Sequence, residues 1–323
     1  MAQESSLASV IIVSCGRNDL LTRCIKSVQA QRYQPVECFV FLNKTSQEEA
    51  ARWAKSYPGI YFEGFDANVL YCKPLNKGIH KSSGAFVLCL NDDVVLEADF
   101  IEKIVPVFES DSNIGSVSGR IMRDDGKTID TLGLSWSRAR KPVDIGYGRL
   151  LDFTADTKAG SIFGVNGAVA FYRRSMLEDI RIDGQYFDED YGIYYEDFDI
   201  AWRAQRAGWT ARYCPLAIAT HQRGATTRDQ KKQLKFLDTF AFTHLPLDLK
   251  IRHMRNRYST IIKNDSFLLF LRDLPWIIFY EMRLFAYLLF FDRGVLVKFF
   301  SNFNFVSLAF LKRRKILKMV KHE

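Results

Sequence analysis

Apolar positions along the first half of the chain gather in short runs, each followed by a polar loop and then by apolar residues at helical spacing. Val10-Ile11-Ile12-Val13 is closed by Ser14 to Asp19, after which Leu20, Leu21, Cys24, Ile25 and Val28 mark one face of a helix. Cys38 to Leu42 predicts a second strand, Asn43 to Ser46 a loop, and Gln47 to Tyr57 a helix capped by Ser46. Ile60 to Phe65 predicts a third strand and Leu75 to Ser83 a helix. Phe86-Val87-Leu88-Cys89-Leu90 then predicts a strand buried on both faces. Such alternation implies right-handed crossovers and a largely parallel sheet with helices on both faces, a Rossmann-like half.

The fourth run stops abruptly at Asn91-Asp92-Asp93. Ligands of open α/β sheets bind just past the carboxyl ends of the strands, so paired acids stand at a site mouth. Two carboxylates there suit a divalent cation that bridges protein to a diphosphate. A solvated turn is the plain alternative, since Asp is a favoured turn residue. Ser14, Arg17, Asn43 and Asn68 also fall at strand exits or adjoining loops, where polar groups can hold a base, ribose or phosphate. No GxGxxG dinucleotide fingerprint is present.

Beyond Asp93, residues 100–109 predict a helix and 114–118 a strand. Residues 123–161, rich in Gly, Asp, Arg and Thr, predict polar excursions over a binding cleft. Phe163-Gly164-Val165-Asn166-Gly167-Ala168 carries glycines that permit close backbone approach before a strand from Val169 to Tyr172. The stretch from Phe187 to Arg203 interleaves six acids with aromatics, and a helix from about Asp197 puts Glu196 and Asp197 at its N-terminus. The helix dipole favours anions there, so a simple capping pair also explains them. A strand from Ala211 to Thr220 delivers His221, with Arg223 close behind. Neutral imidazole suits Mn2+ or Mg2+ as a further ligand beside a carboxylate, and the forked Arg223 donors suit a diphosphate.

Composition narrows the class. The 323 residues are 48% hydrophobic and 25% charged, a globular balance with room for one large core or two modest ones. Six cysteines without CxxC pairs point to reduced, buried thiols and a cytosolic compartment. Residues 1–9 lack the features of a signal peptide, so the Asn-x-Ser/Thr matches at Asn43 and Asn264 carry little weight. The net charge of +8 comes from the tail, where 15 Lys/Arg face 5 Asp/Glu from Lys250 onward. That tail is aromatic and aliphatic rather than a basic stripe on a folded domain, which argues against nucleic acid. Between Phe267 and Phe310 charged residues interrupt each apolar run short of the ~20 residues that span a bilayer. With Lys312-Arg313-Arg314-Lys315 following, the expectation is amphipathic helices on an anionic leaflet, peripheral at the inner face of the membrane. A helical cap on the core or an interface with a second copy of the chain is the competing reading.

Taken together, these elements resemble the family 2 inverting glycosyltransferases of the GT-A fold, particularly a branch of bacterial rhamnosyltransferases that build surface polysaccharides. The resemblance covers about residues 8–262, and several segments carry it. They are the opening Val-Ile-Ile-Val-Ser with Arg17, Asn76-Lys77-Gly78, Ser83-Gly84-Ala85, Leu90-Asn91-Asp92-Asp93 and Asn166-Gly167-Ala168. Phe187-Asp188-Glu189, Tyr195-Glu196-Asp197-Phe198-Asp199, Trp202-Arg203, Ala207-Gly208, Pro215 and His221 complete them. It implies a catalytic domain over residues 1–230, with a nucleotide-binding half to about residue 95 and an acceptor-binding half beyond, and a helical region over 231–323. It implies a Mg2+ or Mn2+ ion on Asp93 and His221, and Asp197 as catalytic base with Glu196 beside it. It also places Ser14, Arg17, Asn43, Asn68, Lys77, Asn91, Asp92, Asn166 and Arg223 around a dTDP- or UDP-sugar. The acceptor would be a glycan or lipid-linked glycan. Leu42-Asn43 departs from the usual Asp-Asn, and Asn68-Val69-Leu70 lacks the usual glycine, so base recognition and backbone approach there differ from the family pattern. Asn256-Arg257 matches a pair that follows the catalytic domain in related enzymes and is expected to position the tail. The competing functions are a noncatalytic scaffold for glycan assembly and a sugar nucleotidyltransferase, though the basic, Gly-rich phosphate loop of the latter is missing after the first strand.

Overall fold

The computed structural model describes residues 6–152, 154, 156–222, 240, 242, 244–301 and 303–319. Its first half alternates as the apolar runs predict: β1 (Ala8–Ser14), α1 (Asn18–Gln29), β2 (Val36–Asn43), α2 (Gln47–Ser56), β3 (Ile60–Phe65), α3 (Cys72–Lys81) and β4 (Phe86–Asn91). Ser46 caps α2, its hydroxyl accepting from the Glu49 N–H at 3.2 Å. β1 pairs parallel with β2 and β4, and β2 with β3, so the strands run in the order 3-2-1-4 of a Rossmann-like half. Four of the five residues Phe86 to Leu90 have no exposed surface. Burying each large one contributes about 1.5–3 kcal/mol, which fixes β4 in the middle of the sheet.

A short β5 (Val94–Leu96), α4 (Phe100–Ser110) and β6 (Ile114–Met122) follow. Residues 123–161 form more than a loop excursion: β7 (Ile129–Thr131) pairs with β6, β8 (Leu134–Trp136) pairs with β9 (Pro142–Asp144), and β10 (Gly160–Ile162) starts the far edge of the sheet. Three-residue strands are too short to show a period, which hides them in the sequence. Then come β11 (Val169–Arg173), α5 (Arg174–Asp179), α6 (Glu196–Arg206) and β12 (Thr210–His221). The described sheet runs β10-β12-β6-β11-β4-β1-β2-β3. β11 is antiparallel to β4 and β6, so the sheet is mixed rather than purely parallel. All six cysteines are free and five are buried; Cys15, in the loop after β1, is exposed.

Four helices close the chain: α7 (Leu247–Asn264), α8 (Phe267–Phe291), α9 (Arg293–Phe300) and α10 (Asn304–Met319). The expectation that charges divide the apolar stretch is overturned in α8, which runs unbroken for 25 residues and is long and apolar enough to cross a membrane by length and composition. Its acids turn inward instead of breaking the helix. Arg140, with no exposed surface, donates to Asp265 at 2.7 Å, to Asp273 at 2.8 Å and to the Leu269 carbonyl at 2.8 Å, while stacking 4.6 Å from the Trp136 ring. Glu281 meets Arg257 and the Tyr258 hydroxyl. The opposite face leaves Leu268, Trp276, Phe279, Met282 and Phe290 bare.

The basic run on α10 is also placed differently from expectation. Lys312 binds Asp188 at 2.5 Å and Asp190 at 2.6 Å, Lys315 pairs with Asp183, and Arg313 donates to the Ile262 carbonyl at 2.7 Å. Lys312 and Lys315 therefore face the sheet domain, whose 183–190 loop carries the acids that neutralise them, while Arg313 turns to α7. One apolar side of α8 to α10 packs inward around Leu284, Leu288, Val295 and Phe299, and the other is left as outward surface. Replacing Arg140 with Ala would strip the buried Asp265 of its cation and leave Asp273 to Arg272, and a loss of about 3–5 kcal/mol is expected in urea unfolding; a wild-type midpoint would contradict the buried pairing.

Candidate active site

Two groups of acids sit at the carboxyl end of the central strands. In the first, Asp92 and Asp93 leave β4 almost fully buried. Asp92 accepts from the Ser14 hydroxyl at 2.6 Å, from the Cys15 N–H at 3.4 Å and from Arg17. Arg17 reaches over to Asp93 as well, at 3.0 Å. His221, delivered by β12, places Nε2 at 3.2 Å from Asp93 and Nδ1 at 2.8 Å from Asp130. Burial works against a charged imidazole, yet the hydrogen bonds to Asp130 and Asp93 outweigh it and hold the His221 pKa up at about 9. Ser14, Arg17, Asp92, Asp93 and His221 thus meet, and Asp130 joins them from β7.

The second group forms around the N-terminus of α6. The Gly167 N–H donates to Asp197 at 2.9 Å and the Phe198 N–H donates at 2.7 Å. A Cβ on Gly167 would lie 3.4–3.5 Å from the Glu196 and Asp197 side chains, an ordinary contact distance. Asn166 donates to Asp144 at 2.8 Å and accepts the Ala168 N–H, which fixes the turn into β11. No cation pairs with this group among the described contacts of Glu196 and Asp197. Burial, the main cause, raises both pKa values, and Asp197 raises that of Glu196 further. One Glu196 oxygen is buried without a hydrogen-bond partner among the described residues, a position tolerable only for a neutral carboxyl. Two neighbouring acids are thereby pushed apart, with Glu196 holding its proton to higher pH than Asp197.

One strand register joins the groups. The Asn91 N–H donates to the Ala168 carbonyl at 3.1 Å, and Gly167, one residue earlier, holds Asp197. Immediately before α6, Tyr194 and Tyr195 take φ values of 71° and 70°. Each left-handed non-glycine residue costs about 1–2 kcal/mol, so the chain is bent at a price to aim Glu196 and Asp197.

The remaining sequence-predicted residues are used differently. Asn43 is buried with both ends of its amide taken by the 69–70 backbone, donating to the Leu70 carbonyl at 3.0 Å and accepting the Val69 N–H at 2.9 Å. Asn68 is exposed and accepts the Leu70 N–H at 3.0 Å. Lys77 pairs with Glu63 and lies over the Phe65 ring. Arg223 lies outside the described residues. Sequence reasoning missed Asp130 and Asp144 because their strands are three residues long. The only available signal was an acid flanked by Ile129 and Thr131 in a polar region.

A buried acid with a raised pKa weakens the fold as pH climbs from its ordinary 4.5 towards its folded value, because ionisation is easier once unfolded. Glu196→Gln removes that penalty. Its urea midpoint should match wild type near pH 4 and exceed it increasingly up to pH 8; a gap independent of pH would contradict a protonated Glu196.

The glycosyl transferase family 2 profile matches residues 9–181. Poly-beta-1,6-N-acetyl-D-glucosamine synthase of Staphylococcus aureus is 24% identical over 213 residues, which are 64% of this chain and 48% of that protein. The chain spans about half the length of the curated relatives it matches. In fold it is similar to GalNAc-T7 with UDP, GalNAc and Mn2+ (TM-score 0.59, 12% identity, 80% of this chain and 48% of that one). It is also similar to the mannosyltransferase PcManGT of Pyrobaculum calidifontis with GDP-Man and Mn2+ (TM-score 0.52, 14% identity, 97% and 85%). These likenesses agree with the mixed sheet described above, the GT-A arrangement with added C-terminal helices. With more than half of its length matched by the family profile, this chain belongs to glycosyl transferase family 2.

Proposed function

We propose that this protein is a metal-dependent, inverting glycosyltransferase acting in cell-surface polysaccharide synthesis. It moves a sugar, rhamnose-like or a hexose, from a dTDP- or UDP-linked donor to a hydroxyl of a glycan or lipid-linked glycan. The observation that carries this reading is the Gly167 N–H on Asp197, one residue from the Ala168 carbonyl that receives the Asn91 N–H. It sets a carboxylate with no cationic partner among the described residues beside a pair held by Arg17 and His221.

Asp197 in its ionised form takes the proton of the acceptor hydroxyl. Glu196 stays neutral and spares the site a second negative charge. Base and leaving group lie on opposite sides of the anomeric carbon, so one displacement inverts it. Arg17, bridging Asp92 and Asp93, is placed to turn towards donor phosphates, its side chain being one-third exposed.

A carboxylate oxygen and an imidazole nitrogen facing each other at 3.2 Å fit a Mg2+ or Mn2+ ion by donor type. Asp93 and His221 would hold the ion, with loss of the His221 proton, and diphosphate oxygens would complete the shell. The described residues form no cluster of three or more such ligands by themselves. When bound, the ion supplies charge to offset the departing nucleoside diphosphate.

Membrane association rests on the bare apolar side of α8, α9 and α10, with Phe267, Phe279, Met282, Phe290 and Val297 each more than half exposed. Asp273 and Glu281, held by Arg140 and Arg257, together with the exposed Arg272 and Arg283, favour a helix lying on the bilayer over one crossing it. The protein would then work at the inner face of the membrane, near lipid-linked acceptors.

The direct test is nucleoside diphosphate release from UDP-, dTDP- and GDP-sugars with Mn2+ or Mg2+ and lipid-linked glycan acceptors. Release that needs metal supports the transferase, and metal-independent release or formation of nucleotide sugar contradicts it. At saturating metal, kcat should fall as pH drops through a value above the ordinary carboxylate range, because Asp197 must be ionised and its pKa is raised; a profile flat down to pH 4.5 would exclude it as base. Phe279→Glu together with Met282→Glu should weaken binding to anionic vesicles roughly tenfold or more, with wild-type binding persisting in high salt. Binding abolished by salt alone would show that the basic residues, not the apolar face, make the contact.

A further inference from the structure

α7 carries a polar stripe where a core-facing helix would ordinarily be apolar. Asn256, Thr260, Lys263 and Asn264 recur at helical spacing and are at most 1% exposed. All four meet the segment that leads into α6 or α6 itself. The Asn256 amide donates to three carbonyls, those of Tyr191 at 3.0 Å, Ile193 at 2.9 Å and Tyr194 at 2.8 Å. Thr260 meets the Tyr191 hydroxyl at 2.7 Å, while Asn264 donates to Asp199 at 2.8 Å and Lys263 pairs with it at 3.0 Å.

Three carbonyl dipoles converging on one point repel each other in a buried setting, and the two N–H donors of a single –NH2 group, one of them shared, offset that repulsion. The residues so gathered include the first of the two left-handed tyrosines that precede Glu196 and Asp197. We infer that Asn256 is a positioning residue for the catalytic base, holding the 191–194 backbone in the conformation that aims Asp197 at the acceptor. α7 thus completes the active site although it lies beyond the stretch that matches the family. The inference rests on Asp197 as base and adds a residue that never touches either substrate.

The test compares full-length Asn256→Ala, Asp197→Asn and Met254→Ala with wild type. Met254 is buried on the same helix in a separate apolar cluster, so its truncation reports general loosening of α7. Transfer kinetics are read in kcat and donor KM, and hydrogen exchange is followed across residues 188–199. Asn256→Ala should lower kcat ten- to a hundredfold, change donor KM less than threefold, and speed exchange across 188–199. Met254→Ala should keep kcat within threefold. Near-wild-type kcat in Asn256→Ala beside an inactive Asp197→Asn would overturn this inference alone. Equal kcat losses in Asn256→Ala and Met254→Ala would also overturn it, by reducing Asn256 to a packing role. Full activity in Asp197→Asn would remove the base, and the proposed mechanism would fall with it.

Discussion

Burying a carboxylate demands compensation, and the way each acid at the end of this sheet is compensated sets its chemistry. Asp92 and Asp93 are matched by a guanidinium, an imidazole and a serine hydroxyl. Glu196 and Asp197 receive backbone N–H groups and no cation among the described residues, so burial prevails and their protons are held more tightly. Four acids of nearly identical intrinsic strength become two kinds of tool. The parallel β1-β4 pairing and the antiparallel return of β11 bring the two kinds within one strand register of each other.

The C-terminal helices obey the same rule. Arg140 with Asp265 and Asp273 and Lys263 with Asp188 and Asp199 are buried pairs that tie α7 and α8 to the sheet domain, and Arg257 with Glu281 ties the two helices to each other. Such pairs add little net stability against apolar substitutes, but they are specific about register and orientation. They determine which side of α8 faces inward and which apolar side is left bare. Lys312 and Lys263 share Asp188, so the outermost helix is one carboxylate away from the network around Asp199 on the base-bearing helix.

Much of this was legible in the sequence. Long buried strands such as Phe86 to Leu90 announce themselves by apolar runs, and acids just after them mark the site. His221 was legible as a neighbour of Asp93 because its strand is long and ends beside the end of β4. Asp130 and Asp144 were hidden because a three-residue strand has no period. Asn43 and Lys77 sit where ligand contacts are expected, yet backbone and Glu63 hold them, a pairing that spacing cannot show. The tail misled for a different reason. Acids within α8 looked like interruptions, whereas Arg140, more than a hundred residues away in sequence, absorbs Asp273, and Arg257 on the preceding helix absorbs Glu281.

The central claim is the division of labour between Asp93, which serves the donor and its metal, and Asp197, which serves the acceptor. Calorimetric titration of Mn2+ with UDP, dTDP or GDP into Asp93→Ala and Asp197→Asn tests it most directly. The account predicts that Asp93→Ala loses metal-dependent nucleotide binding while Asp197→Asn binds as tightly as wild type. Undiminished binding in Asp93→Ala, or loss of binding in Asp197→Asn, would contradict it.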